Sequence, residues 1–200
     1  MTVLRIGLTG SIGTGKSTTA KMFAERNIPI FNADAAVHGF YRGAAAPLIE
    51  KAFPGTTRDG VVDRDALSER VLDDTNALKV LEAIVHPLVR EAQDSFANES
   101  KIAGHDIAVY EIPLLFETNS PERFDAVVVT TVDPDIQKER VLERPGMTEE
   151  KLAAILKRQL PDSEKRGRAD YVVDTSEGFE RAREQVDTII AELKQKVVLS

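Results

Sequence analysis

The 200-residue chain has no cysteine, which excludes disulfides, zinc–thiolate sites and cysteine nucleophiles. No apolar run approaches the length that crosses a membrane. The first residues pass straight into an apolar strand, without a basic segment and a cleavable apolar stretch, so a cytoplasmic address is expected. Positive charge is also in deficit: 26 Lys and Arg stand against 33 Asp and Glu, for a net charge of -7. That balance argues against a broad nucleic-acid-binding surface, yet a small anionic substrate needs only a local basic pocket. No spacing matches a zinc site or a Ser-His-Asp triad, and no internal repeat or low-complexity tract occurs. With 42% hydrophobic and 30% charged residues, the composition is that of a folded globular protein. The length suits one α/β domain carrying an insertion.

Against these absences stands one dense motif. Gly10 to Ser17 reads Gly-Ser-Ile-Gly-Thr-Gly-Lys-Ser, matching the phosphate-loop pattern G-x-x-x-x-G-K-[ST]. It follows an apolar run, Val3 to Leu8, and precedes a helical segment from Ser17 to Ala24, which is the strand, loop, helix order the motif requires. Gly10, Gly13 and Gly15 are expected to take positive φ and turn backbone N–H groups toward a phosphate at the helix N-terminus. Ser11, Ile12, Gly13, Thr14, Gly15, Lys16, Ser17 and Thr18 are therefore candidate ATP contacts. Lys16 would reach the β- and γ-phosphates, and the Ser17 hydroxyl would sit on Mg²⁺.

Further β-branched apolar runs at Ile28 to Phe31, Ile107 to Ile112, Ala126 to Val132 and Tyr171 to Val173 alternate with helical patterns. The fold class expected is a P-loop NTPase, a three-layer α/β/α arrangement around a mostly parallel five-stranded sheet. The interval after the second strand is too long for one crossover helix, so a helical insertion is expected at about residues 35–103. It would hold helices over 35–41, 65–72 and about 75–101, the last bent or restarted at Pro87. A basic segment, about 135–168, reads as two helical stretches joined at Pro145-Gly146 and suits a lid over phosphates. A final helix is expected at about 178–197.

Outside the loop, Asp34 directly follows the second strand, where ligands of open parallel sheets gather. It could accept the proton of an attacking hydroxyl or help hold the metal, or simply cap a helix beginning at Ala35. Arg140 and Arg144 stand four apart, which a shared anionic partner would explain, with solvated contacts to Glu139 and Glu143 as the plainer reading. His86, beside Ile84, Val85, Leu88 and Val89, reads as a packed histidine. Glu111 or Glu117 could face the metal, and the sequence does not choose between them.

Taken in order, these residues resemble the dephospho-coenzyme A kinase family over nearly the whole chain. The resemblance rests on Gly7-Leu8-Thr9-Gly10 leading into the loop, Ala33-Asp34, His86-Pro87-Leu88-Val89-Arg90 and Pro113-Leu114-Leu115-Phe116-Glu117. It continues through Gln137, Arg140, Arg144, Gln159, Ala169-Asp170 and Asp174. It implies transfer of the ATP γ-phosphoryl group to the ribose 3′-hydroxyl of dephospho-coenzyme A, the last step of coenzyme A synthesis. Asp34 would be the base, with Lys16 and Arg140 also catalytic and Arg144 on ATP. Asp34, His86, Arg90 and Leu115 would meet the acceptor, Mg²⁺ would accompany ATP, and the protein would be a monomer or small homo-oligomer without nucleic-acid or membrane partners. Ser11, Thr14 and Thr175 depart from the residues usual in the family. Two other readings compete: a nucleoside or nucleotide kinase with a different acceptor, and a P-loop switch protein. The guanine-reading Asn/Thr-Lys-x-Asp motif of a GTPase-type switch is absent.

Overall fold

The computed structural model describes residues 3–72, 74–118 and 121–198. Its strands are β1 (Leu4–Gly10), β2 (Ile30–Asn32), the short β3 (Thr57–Arg58) and β4 (Val61–Val62), β5 (Ile107–Glu111), β6 (Ala126–Thr131) and β7 (Tyr171–Asp174). Its α-helices are α1 (Lys16–Ala24), α2 (Ala33–Tyr41), α3 (Ala46–Ala52), α4 (Arg64–Val71), α5 (Thr75–Ile102), α6 (Pro134–Leu142), α7 (Glu149–Arg158), α8 (Asp162–Gly167) and α9 (Phe179–Val198). The chain divides into two compact units, one formed by Met1–Phe31 with Ala97–Ser200 and the other by Asn32–Phe96.

The first unit is built on a five-stranded sheet of order β2-β5-β1-β6-β7. β1 runs parallel to both β5 and β6, and β6 runs parallel to β7. Successive side chains of a strand point to opposite faces, and β6 shows the result. Val128 enters a core with Phe23 of α1 and Val186 and Leu193 of α9, while Val127 and Val129 enter a second core with Leu115 and Phe116. Both faces of the central strands β1, β5 and β6 are covered, so these read as nearly continuous apolar runs. Each fully buried Leu or Phe contributes roughly 1.5–3 kcal/mol. Gly7 permits the second core to close, because a Cβ there would lie 3.0 Å from Leu115 Cδ2.

The second unit packs Ile49, Val62, Leu67, Leu81 and Val85 around a separate small core. Two of its features differ from the sequence expectation. α3 was not anticipated: it has only seven residues, with proline in its first turn, too few to display a 3.6-residue period. The turn at residues 58–60 carries an antiparallel hairpin, β3 with β4, whose Asp59 and Gly60 both take positive φ, as a tight Asp-Gly turn requires. α5 is one 28-residue helix with Pro87 inside it; the proline does not restart it.

The basic segment holds three helices instead of two. Pro161 is the reason, since proline is accepted at a helix start but not in its interior; it stands as the N-cap residue of α8. No helix of the described residues is long and apolar enough to cross a membrane.

Candidate active site

The phosphate loop joins β1 to α1. Gly13 and Gly15 take φ of 80° and 85°, as expected, but Gly10 does not. Gly10 is needed for space: a Cβ there would fall 2.1 Å from Thr130 Oγ1. Ser11 and Thr14 also keep φ negative, so the family's more usual residues are not required for backbone reasons. Both are buried, and Thr14 Oγ1 stands 2.8 Å from Ser11 O and 2.8 Å from Thr130 Oγ1, bracing the loop against β6. Lys16, Ser17 and Thr18 open α1, so their backbone N–H groups lack an intrahelical partner and form the positive end of the helix dipole.

The loop tip is held from both sides by residues to which sequence reasoning assigned no role. Gln137 Nε2 donates to the Ile12 carbonyl at 2.6 Å, and the Ile12 N–H donates to Gln159 Oε1 at 3.1 Å. Gln137 lies on α6 and Gln159 just past α7, so the basic segment is hydrogen-bonded to the loop.

Glu111 meets the loop cation. Its Oε1 accepts from Lys16 Nζ at 2.6 Å and from Ser17 Oγ at 2.5 Å. The side chains are nearly buried, 14% exposed for Lys16 and 5% for Glu111. The parallel register explains the meeting: Leu8 of β1 pairs with Glu111 of β5, which sets this carboxylate at the carboxyl end of the strands, where the loop begins. Glu117 does something else. It forms a 2.9 Å ion pair with the fully buried Lys165 and accepts the Leu160 N–H at 2.8 Å, tying α8 to the segment after β5. Glu111 is thus the carboxylate beside the loop hydroxyl.

A cavity of about 300 Å³ opens beside the loop, bordered by Gly13, Gly15 and Thr18 and by Arg140, Arg144 and Thr175. Phe179, 67% exposed, stands on its rim. The two arginines share this cavity although only Arg140 lies within α6, Glu143 being its C-cap residue. Arg140 donates from Nη1 to Thr175 Oγ1 and from Nη2 to Thr175 O, both at 2.9 Å. Thr175 donates its own hydroxyl proton toward the Thr14 carbonyl at 3.1 Å or the Thr131 carbonyl at 3.3 Å.

In the second unit, Asp34 is the second residue of α2 and is exposed. The capping alternative is corrected: Asn32 caps α2, its Oδ1 accepting from the Ala35 N–H at 2.8 Å, so Asp34 is left for other work. Asp34, Val37, His38 and Tyr41 recur at the spacing of one helix face. Arg64, Leu67, Ser68 and Val71 of α4 repeat that spacing, and the two faces line a cavity of about 440 Å³. His86 is half-buried and Arg90 exposed, both on α5. Leu115 is fully buried with Phe116, Val127 and Val129, because the run after β5 must cover the second face of the sheet, so its side chain packs in the core.

Ser17 and Glu111 present a hydroxyl and a carboxylate, hard oxygen donors of the type Mg²⁺ selects. Among the described residues no group of three or more His, Asp or Glu side chains is placed to hold a metal ion by itself. A metal here would be shared with a phosphate ligand.

A family model described as dephospho-CoA kinase matches residues 4–180. A dephospho-CoA kinase of Mesorhizobium japonicum is 61% identical over 189 residues, covering 94% of this chain and 96% of that protein. One of Brucella melitensis biotype 1 is 56% identical over 191 residues, covering 96% of each. Among solved structures, a Thermus thermophilus protein superposes with a TM-score of 0.86 at 32% identity, covering 96% of this chain and 99% of that one. A shikimate kinase of Acinetobacter baumannii, at 18% identity and a TM-score of 0.54 over 97% and 94% of the two chains, shares the fold alone. With a family model spanning most of its length and relatives above half identity over nearly all of it, the chain belongs to the dephospho-CoA kinase family.

Proposed function

We propose that the protein transfers the γ-phosphoryl group of ATP to the ribose 3′-hydroxyl of dephospho-coenzyme A, giving coenzyme A and ADP. The observation that carries this reading is the convergence of Lys16, Ser17 and Glu111 at the loop, beside a cavity bordered by two arginines, in a chain of this family. Loop N–H groups and Lys16 bind the β- and γ-phosphates. Ser17 and Glu111 would hold Mg²⁺, which when bound neutralises phosphate charge. Arg140 and Arg144 add cationic donors on the ATP side. The segment 135–168 acts as the lid, and the insertion at about 35–103, with His86 and Arg90, serves the acceptor.

Asp34 is the base. As the 3′-oxygen bonds to the γ-phosphorus, its proton passes to the Asp34 carboxylate, and the bond from phosphorus to the β,γ-bridging oxygen breaks to release ADP. A net charge of -7 fits small-molecule partners better than nucleic acid, and we place the reaction in the cytoplasm, in a monomer or small homo-oligomer. Asp34→Asn tests the assignment of the base. The variant should bind ATP with unchanged affinity and lose about 10²- to 10⁴-fold in acceptor-dependent ADP formation; near-parental turnover would remove Asp34 from the mechanism.

A further inference from the structure

The cavity in the second unit holds a cation that the reaction described above does not use. Arg64, the first residue of α4, donates from Nη1 to His38 Nε2 at 2.7 Å. An arginine only donates, so the imidazole nitrogen is the acceptor and contributes no negative charge. The preceding carboxylate is already committed: Asp63 caps α4 through Oδ1, accepting from the Asp65 and Ala66 N–H groups, and its Oδ2 pairs with Arg58 at 2.9 Å. Among the described residues no carboxylate forms an ion pair with Arg64. Its charge reaches the cavity wall, where it counters the upward push that burial gives the Tyr41 hydroxyl.

A guanidinium steered by a neutral acceptor keeps its full charge and the rest of its N–H fork for a ligand. That is the arrangement suited to two-point recognition of phosphate oxygens. Asp34 and His38 are one turn apart on α2, and Asp34 lines the same cavity as Arg64. We propose that Arg64, positioned by His38, binds the 5′-diphosphate of the acceptor while the acceptor's ribose lies toward Asp34. This rests on the proposed function and adds the residue that selects a nucleoside diphosphate ester over a nucleoside. The apolar remainder of the cavity, Leu67 and Val71 among it, would cover the uncharged part of the ligand.

The test is steady-state kinetics of the full chain with dephospho-coenzyme A, comparing parent, Arg64→Gln, Arg64→Lys and His38→Leu. Charge-assisted hydrogen bonds of this kind are worth about 1.5–3 kcal/mol, so Arg64→Gln should raise the acceptor KM by roughly 10- to 100-fold, leaving kcat and the ATP KM within about threefold. Arg64→Lys, which keeps the charge but not the fork, should fall between. His38→Leu should raise the same KM about fivefold by releasing the arginine. Binding of adenosine, with the ATP site saturated by a non-hydrolysable analogue, should be unchanged in Arg64→Gln. An unchanged acceptor KM in Arg64→Gln, or an equal weakening of adenosine, overturns the diphosphate assignment. Failure of the parent to phosphorylate dephospho-coenzyme A would instead overturn the proposed function on which it rests. Arg64 is exposed, so the variants should melt within a few degrees of the parent.

Discussion

Lys16 Nζ stands 2.6 Å from Glu111 Oε1, joining the phosphate loop to the end of β5 across 95 residues of chain. Because both side chains are largely withdrawn from water, the pair makes the loop lysine part of the fold as well as of the site. Removing one member strands the other, which in buried pairs costs about 3–5 kcal/mol.

Lys16→Ala should therefore lose phosphoryl transfer and also lower the melting temperature. Adding Glu111→Gln should restore much of the melting temperature and none of the activity. Thermal melts of the two variants check this. A single variant as stable as the parent would show that the ion pair contributes nothing to the fold.

Glu111→Gln alone should shift the Mg²⁺ dependence of turnover to higher concentration, since it removes the carboxylate beside Ser17. Glu117→Gln should leave that dependence unchanged and lower stability, because its partner Lys165 is fully buried. Overlaying Mg²⁺ titrations of the parent and the two variants separates the roles.

At the loop tip, Gln137→Ala removes the donor to the Ile12 carbonyl. A neutral hydrogen bond is worth about 1 kcal/mol, so the ATP KM should rise roughly fivefold while the melting temperature stays close to that of the parent. An unchanged KM would mean the loop holds its shape without α6.

Acid stability has an identifiable contributor in Glu50. Hydrogen bonds from the Gly55 N–H, followed by the Thr57 hydroxyl, hold its carboxyl below the ordinary value of 4.5. The folded state thus prefers the ionised form, and the associated stability is present above the unfolded value and lost as pH falls through the lowered one. Glu50→Gln should lower stability near neutrality and flatten its decline between about pH 5 and pH 3. An acid limb identical to the parent's would exclude Glu50 as a contributor.

What the sequence made legible was set by distance along the chain. The loop, its flanking strand and its helix lie within consecutive residues, so their chemistry could be read directly. The central strands β1, β5 and β6 were legible because burial on both faces leaves nearly continuous apolar runs, while the edge strands β2 and β7, only partly buried, showed as short apolar runs. Choosing Glu111 over Glu117 was beyond the sequence, since the register pairing Leu8 with Glu111 follows from the assembled sheet. The same holds for Arg140 on Thr175, for the two glutamines on Ile12 and for Arg64 on His38, each a contact between segments at least 26 residues apart. Short elements such as α3 and the β3–β4 hairpin carry too few residues to show a period, and a motif does not reveal which of its residues, such as Leu115, turn their side chains to the core.

The most direct test of the account is coupled ADP release by the parent protein with ATP and Mg²⁺, measured with dephospho-coenzyme A, with AMP and with no acceptor. Dephospho-coenzyme A should stimulate strongly, with the product phosphate on the ribose 3′-oxygen, and AMP, which lacks the pantetheine arm and the diphosphate, should have little effect. ADP release that is equal in all three reactions, or equal stimulation by AMP, would contradict the proposed function.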